Sequence, residues 1–203
     1  MTCPQFGEIE EVELRKGWPK EALDFTNWLA KEENLNKLAK ACSIELELVE
    51  TESQVGDFSV DILAKEVGTD CNVVIENQLE DTDHYHLGKI ITYAAGKDAG
   101  TIIWVVKRAR DEHRKAVEWL NNYTDVKHSF FLVEIELLRI GDSPMAPRFN
   151  VVESPNEWAR AEKNKETLRD SERVQLEYWQ TYKELAQNNK EFSKVWRPRK
   201  AQP

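Results

Sequence analysis

A chain of 203 residues and 23.6 kDa, 40% hydrophobic and 32% charged, has enough apolar material for one core and too much for general disorder. Its formal net charge of -9 argues against a broad non-specific nucleic-acid surface, which needs clustered Lys and Arg, but leaves room for a small acidic site. Cys3, Cys42 and Cys71 form neither a disulfide framework nor a CxxC pair, no apolar run reaches the roughly 20 residues of a membrane span, and the acidic N-terminus lacks a signal h-region, so a cytoplasmic protein without membrane contact is expected.

In chain order, Pro19 marks a helix start, and Phe25, Trp28, Leu29, Leu35, Ala39 and Cys42 recur at helical spacing, predicting one helix through Cys42. Glu32 falls among these apolar positions on the wheel, an odd place for an acid unless it is used, although a long side chain can snorkel out. "SIELELVE" alternates Ile44, Leu46 and Leu48 against glutamates and reads as a strand with one wet face. "DFSVDILAKE" and "CNVVIENQL" are two further strands, the second more apolar and so more central. "DHYHLGKIITYAAG" is a helix with Asp83 as N-cap and Gly96 as its end.

"TIIWVV" is a buried strand, and "DEHRKAVEWLNN" is a helix carrying Ala116, Trp119 and Leu120, with Glu112 and His113 in an exposed first turn. "SFFLVEIELLRI" and "RFNVVE" complete the sheet. A hairpin followed by helical crossovers gives an α/β fold, a mixed sheet with helices on its faces. The expected domain runs over 1–158. A charged amphipathic helix with Leu176, Trp179 and Leu185 makes 159–203 a helical C-terminal extension, the start of a further domain.

The hairpin raises the functional question. If its turn centres on Gly68-Thr69, Glu66 pairs with Cys71, and the same register sets Asp61 opposite Glu76 and Ser59 opposite Gln78. Opposed carboxylates repel, and one should have its pKa raised. A divalent cation such as Mg²⁺, which takes oxygen ligands and sits beside phosphate, reverses that sign. The plainer alternative is an edge hairpin with both acids in water. On the following helix, Leu87, Ile90, Ile91 and Ala94 lie on one side, while His86, Lys89 and Tyr93 form a stripe that either contacts phosphate or is simply a solvated face. "DTDHYHLG" also offers Asp81, Asp83, His84 and His86, but one short segment rarely closes a metal shell alone.

Asp61, then Glu76-Asn77-Gln78, then Lys89-x-x-x-Tyr93 on a helix, in an αβββαβ order, resembles the PD-(D/E)XK, or restriction-endonuclease-like, nuclease superfamily. "VGDFSVDILA", "VVIENQLEDTDHYHLGKIITYAAG", "IIWV", "DEHRKAVEWLN" and "RFNVVESPNEW" are similar to an uncharacterised prokaryotic family that carries this core, its ENQ motif and a helical C-terminal extension. The resemblance implies that Asp61 and Glu76 ligate Mg²⁺ or Mn²⁺, with a further acid from the first helix, Glu33 or Glu32, or alternatively Glu52. Gln78 stands where the superfamily has Lys; its amide can orient water but carries no charge, and Lys89 would supply the missing charge from the helix. The implied activity is hydrolysis of phosphodiester bonds in DNA, with His86 or Tyr93 at phosphate and pairing into a homodimer as an option. The rival expectations are a nuclease-fold binding module whose site has decayed, and a regulatory subunit whose C-terminal partner supplies DNA binding.

Overall fold

The computed structural model describes residues 6–156, apart from 70 and 126. The helix and domain boundary expected beyond Asn156 lie outside the described residues. The strands are β1 (Ile9–Val12), β2 (Leu46–Val55), β3 (Phe58–Glu66), β4 (Cys71–Asp81), β5 (Ala99–Arg108), β6 (Ser129–Ile140) and β7 (Ala146–Glu153). The helices are α1 (Leu14–Gly17), α2 (Asn27–Leu29), α3 (Glu32–Cys42), α4 (His84–Gly96) and α5 (Asp111–Tyr123), and a π-helical turn, Glu21–Thr26, leads into α2.

The sheet order is β1-β6-β5-β4-β3-β2, with β7 paired to β6. β2, β3 and β4 run as an antiparallel meander, whereas β4, β5 and β6 are parallel. Parallel neighbours need crossovers, and α4 and α5 supply them. The Val/Ile-rich runs of β4 and β5 follow from burial on both faces; Val73 to Leu79 and Thr101 to Val106 are all buried. This is the mixed α/β architecture expected, a mixed sheet with helices on its faces. The hairpin register is as expected from Glu66–Cys71 to Ile62–Ile75, around a turn in which Gly68 takes φ 87°, the left-handed region glycine tolerates, but the ladder ends there and the expected pairs Asp61–Glu76 and Ser59–Gln78 do not form.

One face of the sheet packs α3 and the N-terminal segments, with Phe25, Leu35, Leu38, Ile75, Ile103 and Ile135 in one core. The other packs α4 and α5 through Ile90, Ala94, Trp104, Val117 and Leu120. Three expectations change. The single N-terminal helix is broken, because Lys31 is extended (ψ 135°) and a new helix starts at Glu32. The break swings Glu32 and Glu33 into an exposed first turn, so Glu32 never meets the apolar face that a continuous helix would give it. On α5, Val117 and Leu120 face the core, while Trp119 is exposed and stacks on Tyr123 with centroids 5.4 Å apart. β1 was not expected at all; of its four residues only Val12 is buried.

Candidate active site

The site begins where β3 and β4 part. Their pairing stops at Ile62 and Ile75, although β4 runs on to Asp81. An unpaired strand edge exposes N–H donors that must find acceptors. Asp61 Oδ2 accepts from the Asn77 N–H at 2.7 Å, and Glu21 Oε2 accepts from the Leu79 N–H. Carboxylates thus replace the ladder along this edge. The π-helical turn that carries Glu21 also anchors through Thr26, whose Oγ1 accepts from Asn77 Nδ2 at 3.0 Å. A π-turn is an uncommon conformation that recurs at functional sites.

Glu76 lies on the opposite side of β4 from Asn77, facing α4, and is fully buried. One of its oxygens meets Lys89 Nζ in an ion pair; the other, Oε2, is buried without a partner. Burial, then repulsion from Asp61, pushes the Glu76 carboxyl up to about 8. Asp61 is pushed up to about 6, chiefly by burial, against the opposing Asn77 hydrogen bond and the Lys89 charge. Lys89 stays protonated: burial opposes its charge, but the hydrogen bond and charge of Glu76 outweigh that and raise its pKa.

A second chain of contacts lies one inward-facing residue further along β4. Gln78, 3% exposed, donates from Nε2 to the Asp81 carbonyl at 2.8 Å and to Asp83 Oδ2 at 2.9 Å. Asp83 caps α4 by accepting the His86 N–H at 2.8 Å, and its carboxylate also receives His86 Nδ1 at 2.9 Å. Burial opposes ionisation of Asp83, but the hydrogen bonds from His86 prevail and lower its pKa. The Gln78 amide nitrogen is therefore committed to Asp81 and Asp83, while its Oε1 is buried without a partner.

The expected residues sort as follows. Asp61, Glu76 and Lys89 come together, and Gln78 and His86 are joined beside them through Asp83. Tyr93 was expected at phosphate, but it is covered (2% exposed), packs with Val60, Leu63, Val74 and Ala99, and lies beneath Lys89, whose Nζ is 5.6 Å from its ring centre. Its stripe turned inward because Ile90, Tyr93 and Ala94 face the sheet while Ile91 is 45% exposed. Glu33 stays in the exposed first turn of α3, and the carboxylates whose charges bear on Asp61 are Glu52 and Glu21.

Glu21 had gone unremarked because it reads as an ordinary first-turn acid after Pro19. Glu52 lies across from Asp61, between the pairs Thr51–Ile62 and Ser53–Val60, and its Oε2 accepts from Ser59 Oγ at 3.0 Å. Its backbone is left-handed (φ 54°), a strained state for a non-glycine residue and one found disproportionately near functional sites.

His113, expected at the surface, is 4% exposed; its Nε2 meets His84 Nδ1 at 2.9 Å and its Nδ1 meets Thr82 Oγ1 at 2.9 Å. Among the described residues, no group of three or more His, Cys, Asp or Glu side chains is placed to hold a metal. The donor set nevertheless fits a hard dication: Mg²⁺ needs only one or two protein carboxylates, the rest being water and phosphate, and Glu76 Oε2 is a buried acceptor without a donor. No described helix is long and apolar enough to cross a membrane.

No family model matches the chain, and no curated protein matches its sequence. Among solved structures it is similar to a repair endonuclease from Pyrococcus abyssi, at 14% identity and a TM-score of 0.39, over 47% of this chain. The match spans 41% of the endonuclease chain.

Proposed function

We propose that this chain is a metal-dependent nuclease that hydrolyses phosphodiester bonds in DNA, with Asp61 and Glu76 holding Mg²⁺ or Mn²⁺. One observation carries the reading: a fully buried carboxyl, Glu76, lies beside the partly buried carboxyl of Asp61 at a parted pair of strands, with a single ammonium against Glu76. Buried like charges cost stability unless something else uses them, and groups with pKa values moved this far cluster at functional sites. A bound ion would polarise the phosphoryl oxygen and acidify a water.

The chain's own groups do the rest. Lys89 takes over the positive charge that Gln78 lacks, holds Glu76 in one orientation and faces the phosphate where negative charge builds up. Asp61, fixed by the Asn77 N–H, keeps its second oxygen for the ion or the water. Glu21, held by the Leu79 N–H, replaces Glu33 as the acid from the N-terminal helical region.

The test is calorimetric titration of Mg²⁺ and Mn²⁺ into the wild type, Asp61→Ala and Glu76→Ala, followed by plasmid nicking with the same samples. Binding and nicking in the wild type, both lost in the variants, are expected. The second reading is a nuclease-fold module that binds without cutting. It is favoured by Gln78, which brings no charge where the superfamily has Lys and whose amide nitrogen is committed to Asp81 and Asp83. Absence of metal binding in the wild type would decide for that reading.

A further inference from the structure

The geometry points to His86 as the general acid that protonates the leaving oxygen of the phosphodiester, with Asp83 and Gln78 as its positioning residues. The inference rests on the hydrolase reading and gives a task to a residue that departs from the superfamily pattern. Asp83 is the hub. It receives the His86 N–H, the His86 ring at Nδ1 (2.9 Å and 3.0 Å to its two oxygens) and Gln78 Nε2. An ionised carboxylate only accepts, so the hydrogen at this contact sits on Nδ1 of the ring. The other ring nitrogen, Nε2, is bonded by no described residue, and the side chain is 18% exposed, so a substrate can reach it.

A carboxylate behind Nδ1 fixes the orientation of the imidazole, as a positioned proton donor requires. Gln78 supplies the rigidity. It is buried, it is tied to the Asp81 carbonyl as well as to Asp83, and it comes from a central strand rather than a loop.

The placement suits the chemistry. Gln78 follows Glu76 by two residues on the same face of β4, a step of about 7 Å. His86 and Lys89 are three apart on α4 and so neighbours on its surface. The His86 dyad therefore sits beside the acid pair and not on it. The groups against the ring are Asp83 at Nδ1 and the Tyr85 ring 5.5 Å away edge-on, with Gln78 reaching Asp83 from β4 and Lys89 on the next turn of α4. In the step itself, a water oxygen bonds to phosphorus and releases its proton to solvent. The bond from phosphorus to the sugar oxygen breaks with its electron pair on that oxygen. The Nε2 proton moves to the oxygen, and the neutral imidazole regains a proton from water.

The experiment compares two leaving groups. With Mg²⁺ or Mn²⁺ present, His86→Ala and His86→Gln are assayed on plasmid DNA and on bis(p-nitrophenyl) phosphate, whose nitrophenolate leaves without a proton. On DNA a loss of about 100-fold or more is expected, the usual size of a general-acid contribution. On the nitrophenyl ester the variants should run close to wild type. Equal losses on both substrates, with the wild type active, would remove the acid and leave the hydrolase reading standing. A wild type that cleaves neither substrate would remove that reading and the acid with it. Nitrogen-15 spectra of the metal-free protein give a readout free of activity. The neutral His86 ring should be the Nδ1–H tautomer in the wild type and a mixture in Gln78→Leu; an Nε2–H tautomer in the wild type would overturn the assignment.

Discussion

Glu76→Gln should make the metal-free protein more stable in alkali. The buried Glu76 carboxyl is raised from 4.5 to about 8, so the folded chain keeps a proton that the unfolded chain surrenders earlier. The stability tied to that proton is fully present below pH 4.5 and is lost as pH rises through about 8. Each pKa unit is worth ~1.4 kcal/mol, and water entry and adjustment of Lys89 absorb part of the total, leaving roughly 2–4 kcal/mol. At a urea dependence of about 1–3 kcal/mol per molar, the wild-type midpoint should move down by about 1–2 M between about pH 5 and about pH 9.

The Gln variant cannot ionise, so it should lose most of that slope and unfold at higher urea than the wild type at the alkaline end. A shallower fall over the acid side of the window remains, because Asp61 is raised in the same direction to about 6. Urea melts followed by Trp fluorescence with chelator present measure this directly. Parallel wild-type and Glu76→Gln curves across the whole range would refute the account of Glu76 as a carboxyl strained by burial. Millimolar Mg²⁺ should restore the wild type at about pH 9 and leave Glu76→Gln unmoved.

Two other substitutions probe the neighbourhood. Lys89→Met should keep the fold yet lower kcat/KM for DNA by about 100-fold or more, with partial recovery in Lys89→Arg, since it removes the cation paired with Glu76; nicking rates check this. His113→Ala should cost about 1–3 kcal/mol in urea melts, because it leaves Thr82 and His84 without their shared partner and uncovers the Trp104 ring 5.9 Å away.

Local pattern carried much of the fold. β-branched runs marked β4 and β5, and a single glycine turn set the register from Glu66–Cys71 to Ile62–Ile75, which brings Asp61 to the edge of β4 near Glu76. What escaped has non-local causes. β1 buries one residue, so it has no hydrophobic period to see, and it exists only because the end of β6 offers an edge. The break at Lys31 shows in the sequence only as the awkward position of Glu32. Glu21 acquires its place from the parting of β3 and β4, which no window of consecutive residues encodes. Tyr93 was assigned to the wrong side of its helix because periodicity does not say which face of α4 meets the sheet, and the face that does carries Ile90, Tyr93 and Ala94. In the site, Asp61, Glu76 and Lys89 were visible as residue types, whereas the tie from Gln78 to Asp83 needed the turn between β4 and α4 to bring them within 2.9 Å.

The acids at Asp61 and Glu21 act as wedges in a sheet that would otherwise zip further. Where Asn77 and Leu79 bond to carboxylates, an ordinary meander would bond to backbone carbonyls, and β3 would run flush against β4. Replacing both wedges with β-branched apolar residues therefore offers the chain a simpler structure, more regular and more tightly closed. In a chain of this fold without the two acids, the expected trace is a longer β3–β4 ladder, legible in the strand register even where Glu76 is kept.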